Sequence, residues 1–597
     1  MKTTTLILAL ISFSFPSFAT IRYVTSTGAG AQNGTSWANA APGSSLQTLI
    51  NASGSGDEIW VACGTYFPTN TANRNLAFSL KNGLTIYGSF EGTEITLSER
   101  VFACGACSIL SGAIGAAGNA DNSYHVISNP VGINNTAVVD GFVVQDANDN
   151  RSPSITDGLG GGFYNNGGNG GNMCSPTIRN CVIRNNFAQF GAGIFNSGHT
   201  GGNASPMISN CIITQNTAYL GGGGIDNFGL AGTASPTITN SLIYANTAVQ
   251  RAGGMYCWAG NNGNANPTII NSVFANNSAV DGGGLVSDRG NSPPGSFSGN
   301  SNPVIFNSIF WGNTASGTGP QFFLIGSGTF NATYSTIDIT NQNAPHILTG
   351  LGTGNVNINP QFTNIANAIG ADNCWLSADD GLSLQNTSPL INAGNAAGSP
   401  ANDILGALRT GNPDIGAYEY QVPLSIELLD FETTCSEGKV RLHWATAKEI
   451  NHDSFGIERS QNGVDFSLIE RIDAAGNSNE IRYYAYTDEN PLTSLSYYRL
   501  KQTDFDGKYE YSSVKFASCG VEKNSFIIYP NPASNNISIH FSDRQLHKVT
   551  LFNCLGHLLL AENHNEKSEI AISTLPTGIY FLKVEGMQTQ ILIRNEN

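Results

Sequence analysis

Charge is what this chain has least of. Only 12% of its 597 residues are Asp, Glu, Lys or Arg. With 69 glycines and abundant Asn, Ser and Thr, that composition disfavours long helices and describes a turn-rich, exported β protein. The net charge of −16 sets the surface against nucleic acid, whose phosphates it would repel, and fits a glycan or a surface protein as partner. After the first 19 residues no apolar run reaches the ~18 residues of a bilayer-spanning helix, so no transmembrane helix is expected. Nucleophile motifs of the GxSxG kind and phosphate-cradling glycine loops are also missing, and GGGG at 221–224 reads as a turn. His125, His199 and His346 lack metal-ligand spacing.

The cysteines give little to chemistry. Eleven is an odd number, so at least one stays unpaired within the chain. Cys104 and Cys107 form a lone CxxC with no second pair to complete a zinc site, which leaves a local loop disulfide or structural thiols. Cys435 and Cys519 bracket a candidate domain and could staple its ends.

What the chain does have is repetition. SPTIRNCVIRNNFA from Ser175 returns as SPMISNCIITQNTA from Ser205, SPTITNSLIYANTA from Ser235, NPTIINSVFANNSA from Asn266 and NPVIFNSIFWGNTA from Asn302. The starts are 30, 30, 31 and 36 residues apart, a period that marks stacked units rather than one globular core. Short apolar runs such as Val182-Ile183 and Gly193-Ile194 read as short strands. Pairing between equivalent strands of successive units makes each repeat one coil of a parallel β-helix, an all-β solenoid.

In such a stack residues fall into rows. Asn180, Asn210, Asn240, Asn271 and Asn307 form one, and Asn186, Asn216, Asn246, Asn277 and Asn313 another. Both read as structural ladders, with Asn tolerating left-handed bends and bonding its neighbour's amide. Cys181 and Cys211 share their place with Ser241, Ser272 and Ser308, a row of small residues. After the glycines, Phe163, Ile194, Ile225, Met255 and Leu285 should point inward. Tyr164, Phe195, Asp226, Tyr256 and Val286 should point outward. Upstream, Leu46, Leu49 and Ile50 have helical spacing in a segment suited to plug one end of the solenoid. NTSPLINAGN and NPDIGAYEY are expected to close the other.

Residues 1–19, with Lys2, an apolar run, and Ser17 and Ala19 at the −3 and −1 positions, read as a secretory signal peptide. Residues 20–420, with Ser388-Pro389-Leu390-Ile391-Asn392-Ala393-Gly394, Asp403, Gly406, Arg409 and Asp414-Ile415-Gly416-Ala417-Tyr418-Glu419, resemble secreted right-handed parallel β-helix proteins of the pectin-lyase-like class. The end segment is similar to the group with a choice-of-anchor Q domain, which usually has Asp where Asn392 stands. Residues 423–520 alternate apolar and polar residues between turns at Asn462-Gly463 and Asp506-Gly507. They resemble the fibronectin type III-like β-sandwich common in exported proteins of the Bacteroidetes. Residues 527–597 carry Tyr529-Pro530-Asn531-Pro532, Leu555-Gly556 and Leu575-Pro576-Thr577-Gly578-Ile579-Tyr580, and resemble the type A sorting domain of type IX secretion. In that reading Pro530 and Pro532 end the linker, and Gly578 allows the turn into a strand. The resemblance implies export through the outer membrane by the type IX machinery, removal of the domain, and release or attachment at the cell surface.

Chemistry is harder to place. A lyase on this scaffold would need an acidic calcium cluster with an Arg or Lys base, and a glycoside hydrolase would need carboxylates facing one groove. The repeats offer Arg179, Arg184, Asp226, Arg251, Asp281, Asp288 and Arg289. Arg251 and Asp281 fall at the same place in adjacent coils and should pair. Arg184, Asp226 and Arg251 are the catalytic candidates if the protein is a polysaccharide lyase or glycoside hydrolase. Tyr164, Phe195, Asp226 and Tyr256 are the candidates for a sugar-stacking strip, unless those rings pack against the loops instead. The expectation is a binding or adhesive display protein without cofactor, calcium entering only under the lyase alternative.

Overall fold

The computed structural model describes residues 19–597 except 101, 103–106, 116–117, 155–156, 291–298, 327–329, 341–351, 378, 410, 421–425, 479, 493–494, 505–508, 518–525, 530, 542–544, 566 and 596–597. Residues 1–18 of the expected signal peptide, Cys104, His346, the expected turn at Asp506-Gly507, Cys519 and Pro530 therefore lie outside the described residues. The chain divides into two units, 1–421 and 422–597.

The first unit is the parallel β-helix. In one coil the chain runs through Thr177–Arg179, Val182–Arg184, Phe187–Phe190 and Ile194–Ser197. Each strand pairs in parallel with its equivalent in the next coil, residue 178 opposite 208, 183 opposite 213, 188 opposite 218 and 194 opposite 225. Stacking of this kind builds sheets of 11, 9, 7 and 5 strands. Their inward residues form one continuous core, and Phe163, Ile194, Ile225, Met255 and Leu285 lie in it without exposed surface. The helix Leu46–Ala52 seals the N-terminal end, with Leu46 and Ile50 in that core.

The asparagine rows divide their labour. Asn180, Asn210, Asn240, Asn271 and Asn307 hold φ between 43° and 53°, the left-handed bend. In the second row the left-handed residue is the one before, Asn185, Gln215, Ala245, Asn276 and Gly312. That frees Asn186, Asn216, Asn246, Asn277 and Asn313 to face inward, each amide donating to the next at 2.9–3.0 Å. A third ladder runs Asn129, Asn165, Asn196, Asn227 and ends on the Cys257 sulfur. Burying polar groups is costly unless each is bonded, and these ladders satisfy one another. The small-residue row is a hydroxyl ladder: Cys211 N–H donates to Ser241 Oγ, Ser241 N–H to Ser272, and Ser272 N–H to Ser308.

The segment after the repeats does not cap the end as expected. It lies as a strap along the outside of the nine-stranded sheet, with Phe362, Trp375, Leu382, Leu390, Ile415 and Tyr418 packed on Val182, Ile212, Leu242, Val273 and Ile309. Those strand residues are apolar on both faces, so the outer face needs a cover. Arg409 fastens the strap, bonding Glu419 at 2.8 Å, Asn240 Oδ1 at 3.3 Å and the carbonyls of Gly416 and Ala417. Asp403 accepts from the N–H groups of Leu405, Ala407 and Glu419, and Asp414 from those of Asn392 and Tyr420. The residues carrying the choice-of-anchor resemblance thus work as an internal clasp.

One cysteine expectation changes. Cys107 pairs with Cys63, 44 residues away, so no local CxxC disulfide forms with it. Cys174, Cys181, Cys211 and Cys257 are free and buried, and Cys554 is free and exposed. Cys435 is disulfide-bonded.

In the second unit, Ile426–Ser436, Lys439–Ser460, Phe466–Ser478, Arg482–Asp488 and Ser496–Asp504 form an antiparallel sandwich. The 22-residue strand Lys439–Ser460 pairs by its first half with Arg482–Asp488 and by its second with Ser496–Asp504. Trp444, Phe455, Ile457 and Tyr498 fill the space between. The turn at Asn462-Gly463 forms as expected, with Gly463 at φ 75°. Two further sheets follow, built on Asn536–Phe541 and on His547–Asn553, around a core of Ile537, Ile539, Leu551 and Leu582.

Candidate site: a walled groove on the outer face of the solenoid

The seven-stranded sheet carries two outward rows. The first is Tyr164, Phe195, Asp226, Tyr256 and Val286, as the alternation requires. Period two continues, and the second row, two residues on, holds Ser197, Phe228, Trp258 and Asp288. Phe228 and Trp258 stand two residues beyond Asp226 and Tyr256, in GGGIDNF at 222–228 and GGMYCW at 253–258, so the same rule, carried one step further, would have found them.

These side chains are not an open strip. Tyr164, Phe195 and Tyr256 keep only 8%, 2% and 7% of their surface. Most of these rings meet neighbours along the axis: Tyr164 lies tilted against Phe195 at 6.1 Å, and stacked pairs follow, Phe195 on Phe228 at 6.1 Å and Phe228 on Trp258 at 4.7 Å. Flat faces are therefore spent largely on each other. What stays open is a cavity of about 170 Å³ walled by Leu159, Phe190, Phe195, Phe228, Tyr256 and Trp258, with Ser154 and Ser197 at its border and Asp226 among the rings. Tyr164 does not line it.

Glycine makes room for Asp226. Gly222 has φ 66°, and a Cβ there would lie 2.7 Å from that of Asp226 and 2.6 Å from the Ile225 carbonyl oxygen.

Asp226 is the unusual member. It is 1% exposed and its Oδ2 has no hydrogen-bond partner. Burial, with the like charge of Asp288 added, pushes its carboxyl well above the ordinary range. Asp288 is better provided: the Tyr256 hydroxyl donates to its Oδ2 at 2.8 Å and Gly290 N–H to its Oδ1 at 2.8 Å. Arg251 stands 3.9 Å from the same carboxylate, with its side chain 46% exposed.

The charged candidates separate. Arg184 sits in the nine-stranded sheet, its Nε donating to Gln145 at 3.0 Å, and is no part of this groove. Arg251 and Asp281 are backbone neighbours in adjacent coils, yet their side chains do not pair. Thr318 takes the Asp281 carboxylate through both N–H and hydroxyl, at 3.0 and 2.8 Å, and Arg251 turns to Asp288 instead. Among the described residues, metal-capable clusters occur only at Cys63, Glu91 and Cys107, where the two sulfurs are bonded to each other, and at exposed Asp430 and Glu432 with half-buried His443.

In the C-terminal sheets Asn531 grips the last strand, its side chain donating to the Ile591 carbonyl at 2.6 Å and accepting from Ile593 N–H at 2.8 Å. Tyr529 ends the strand Phe526–Tyr529, and Pro532 follows Asn531 in the bend. The Tyr580 hydroxyl donates to Pro576, closing the LPTGIY loop. Gly578 opens the strand Gly578–Val584 without a left-handed φ, so its special freedom is not used. Residues 527–594 match the Secretion system C-terminal sorting domain. The sorting domain makes this an exported protein, secreted or held at the cell surface, as in the Bacteroidetes, and implies contact with the secretion machinery. No helix among the described residues is long and apolar enough to cross a membrane.

No curated protein matches the chain. Among solved structures, dimeric latent PorU from Porphyromonas gingivalis is 10% identical, covering 30% of this chain and 22% of its own, at a TM-score of 0.12. The FN1-FN3 domains of chicken CNTN1 are 11% identical, covering 30% of this chain and 70% of theirs, at a TM-score of 0.13.

Proposed function

We propose that this is a display protein, delivered by type IX secretion, that binds a glycan in the walled groove of its β-helix. One observation carries the reading: a cavity of about 170 Å³, walled mostly by aromatic side chains, opens on the outer face around a single carboxyl. That volume suits one sugar ring or a chain end, whose C–H faces pack on aromatic edges while a polar substituent meets Asp226. The sandwich following the solenoid acts as a spacer, and no cofactor enters.

Binding of the mature chain to a glycan panel tests this. Phe195→Ala and Trp258→Ala should each weaken binding by roughly tenfold, which corresponds to about 1.4 kcal/mol. Tyr164→Ala should leave it almost unchanged. Equal binding by all three variants and the parent would remove the groove. The glycoside hydrolase alternative draws on Asp226 and Asp288, which share one face of the sheet. Release of oligosaccharides from the same panel would support it, and calcium-dependent cleavage would support the lyase.

A further inference from the structure

We propose that the groove selects a ligand bearing an ammonium group, an amino sugar with a free amine, and that Asp226 is the carboxylate that receives it. The inference rests on the groove being a ligand site and adds what distinguishes its ligand.

One residue lining the cavity has bonding capacity that is unmet. Asp226 Oδ2 is buried and unpartnered, and the two donors nearest in the sheet, the Tyr256 hydroxyl and Arg251, are both turned to Asp288. The titratable groups around Asp226 are Tyr256 and Cys257 on the next strand, Asp288 on the strand after, and Arg251 at the intervening bend. None supplies a positive charge to Asp226.

Aromatic walls add the second half of the argument. Ring faces carry negative potential, and a cation among Phe, Tyr and Trp rings is held electrostatically, most strongly where water is excluded. A neutral sugar gains packing and at most a neutral hydroxyl donating to Asp226, with no charge pairing and no cation held by the rings. An anionic sugar meets Asp288 on the same face. An ammonium gains the rings and Asp226 together.

The proton balance follows. In the free protein burial, and then the like charge of Asp288, favour the neutral form of the Asp226 carboxyl. When an R–NH₃⁺ group enters, the carboxyl gives its proton to the buffer and forms the COO⁻···H₃N⁺–R pair, with one proton released per ligand bound. Net charge is conserved, and no bond other than O–H breaks.

The probes are two tetramers of β-1,4-linked glucosamine, one with free amines and one fully N-acetylated, with a uronate tetramer as the anionic arm. Calorimetry on the mature chain at pH 6, in two buffers of different ionisation enthalpy, reads affinity and proton release together. The expected result is at least tenfold tighter binding of the free-amine tetramer, with release of close to one proton. Asp226→Asn, which keeps shape and loses ionisation, should abolish both the preference and the release. Equal affinity for the two amino-sugar tetramers, with loss on Trp258→Ala, would overturn the ammonium assignment and leave the groove standing. Tighter binding of the uronate, or no proton release by the parent protein, would overturn it as well. Absence of binding by every tetramer would overturn the assignment and count against the groove reading too.

Discussion

Replacing Asn246 by Ala isolates what the buried ladders contribute. The Asn246 side chain accepts from Asn216 N–H at 3.1 Å and Asn216 Nδ2 at 3.0 Å, and donates to the Ile213 carbonyl at 2.8 Å and to Asn277 Oδ1 at 3.0 Å. Some partners have a second bond. Asn277 Oδ1 still accepts from Asn246 N–H, and Asn216 Nδ2 still donates to the Ile183 carbonyl. The substitution leaves the Asn216 backbone N–H, one Asn216 amide hydrogen and the inner lone pair of Ile213 without those partners. At about 1–3 kcal/mol for each of the three buried polar groups so stranded, the cost is roughly 3–9 kcal/mol. In a solenoid the loss stays local, because each coil touches only its neighbours. Hydrogen exchange read by mass spectrometry should therefore show amides of the strands around 212–214 and 242–244 exchanging faster by about two orders of magnitude or more, since ~1.4 kcal/mol is a decade. Distant coils and the second unit should be unchanged. Thr247→Ala is the control, because its hydroxyl bonds Ser278 on the exposed surface and should cost within about 0.5 kcal/mol. If Asn246→Ala costs under about 1 kcal/mol, the ladders are not what satisfies the interior, and the argument from stranded polar groups fails.

Other perturbations test the strap, the glycine row and the tail. Asp380 is buried against Tyr418, which donates to it at 2.7 Å, and burial raises its carboxyl to about 7. Because the folded value lies above the ordinary ~3.9, its contribution is fully present below about pH 4 and is lost as pH rises to 7. Thermal melts of Asp380→Asn should show a flatter stability profile over that window, and an unchanged slope would exclude Asp380 as its source. Arg409→Ala strands Glu419, whose side chain is 5% exposed, and should cost roughly 3–5 kcal/mol, read as loss of exchange protection over residues 388–420. Gly222→Ala should lower stability and weaken ligand binding together, since the new Cβ strikes Asp226; unchanged binding would show the glycine row irrelevant to the groove. A chain ending at 526 should fold its β-helix yet fail to reach the outer surface, which cell fractionation reads directly.

Repetition made much of the fold legible from the sequence. Equivalent residues one period apart had to stack, so Ile194 and Ile225 could be placed inside and Phe195 and Asp226 outside without coordinates. What the rows could not show is which partner a side chain chooses when two are in reach. Asp281 stands beside Arg251 yet bonds Thr318, a residue from the next coil's irregular loop. The groove was half visible for the same reason. Its first row was read, but Phe190 arrives from the end of the strand Phe187–Phe190 in a different sheet and Asp288 from two coils away, offset by two residues. The strap was misplaced because its sequence shows apolar residues without saying which surface they cover. The outer face of the nine-stranded sheet, apolar at Val182, Ile212 and Leu242, was the missing information.

The strap has a consequence for how this protein can evolve. Asn307 is gripped at residue 395, Asn271 at 399, 414 and 416, and Asn240 at 402 and 409, three successive bends each met by its own part of one continuous segment. Solenoids ordinarily lengthen or shorten by whole coils, since every added unit finds the same neighbour. Here a duplicated or deleted coil among these three would shift every later grip by one bend. The strap is a ruler laid against the stack, and it fixes the number of coils in this region at the number it was cut to fit.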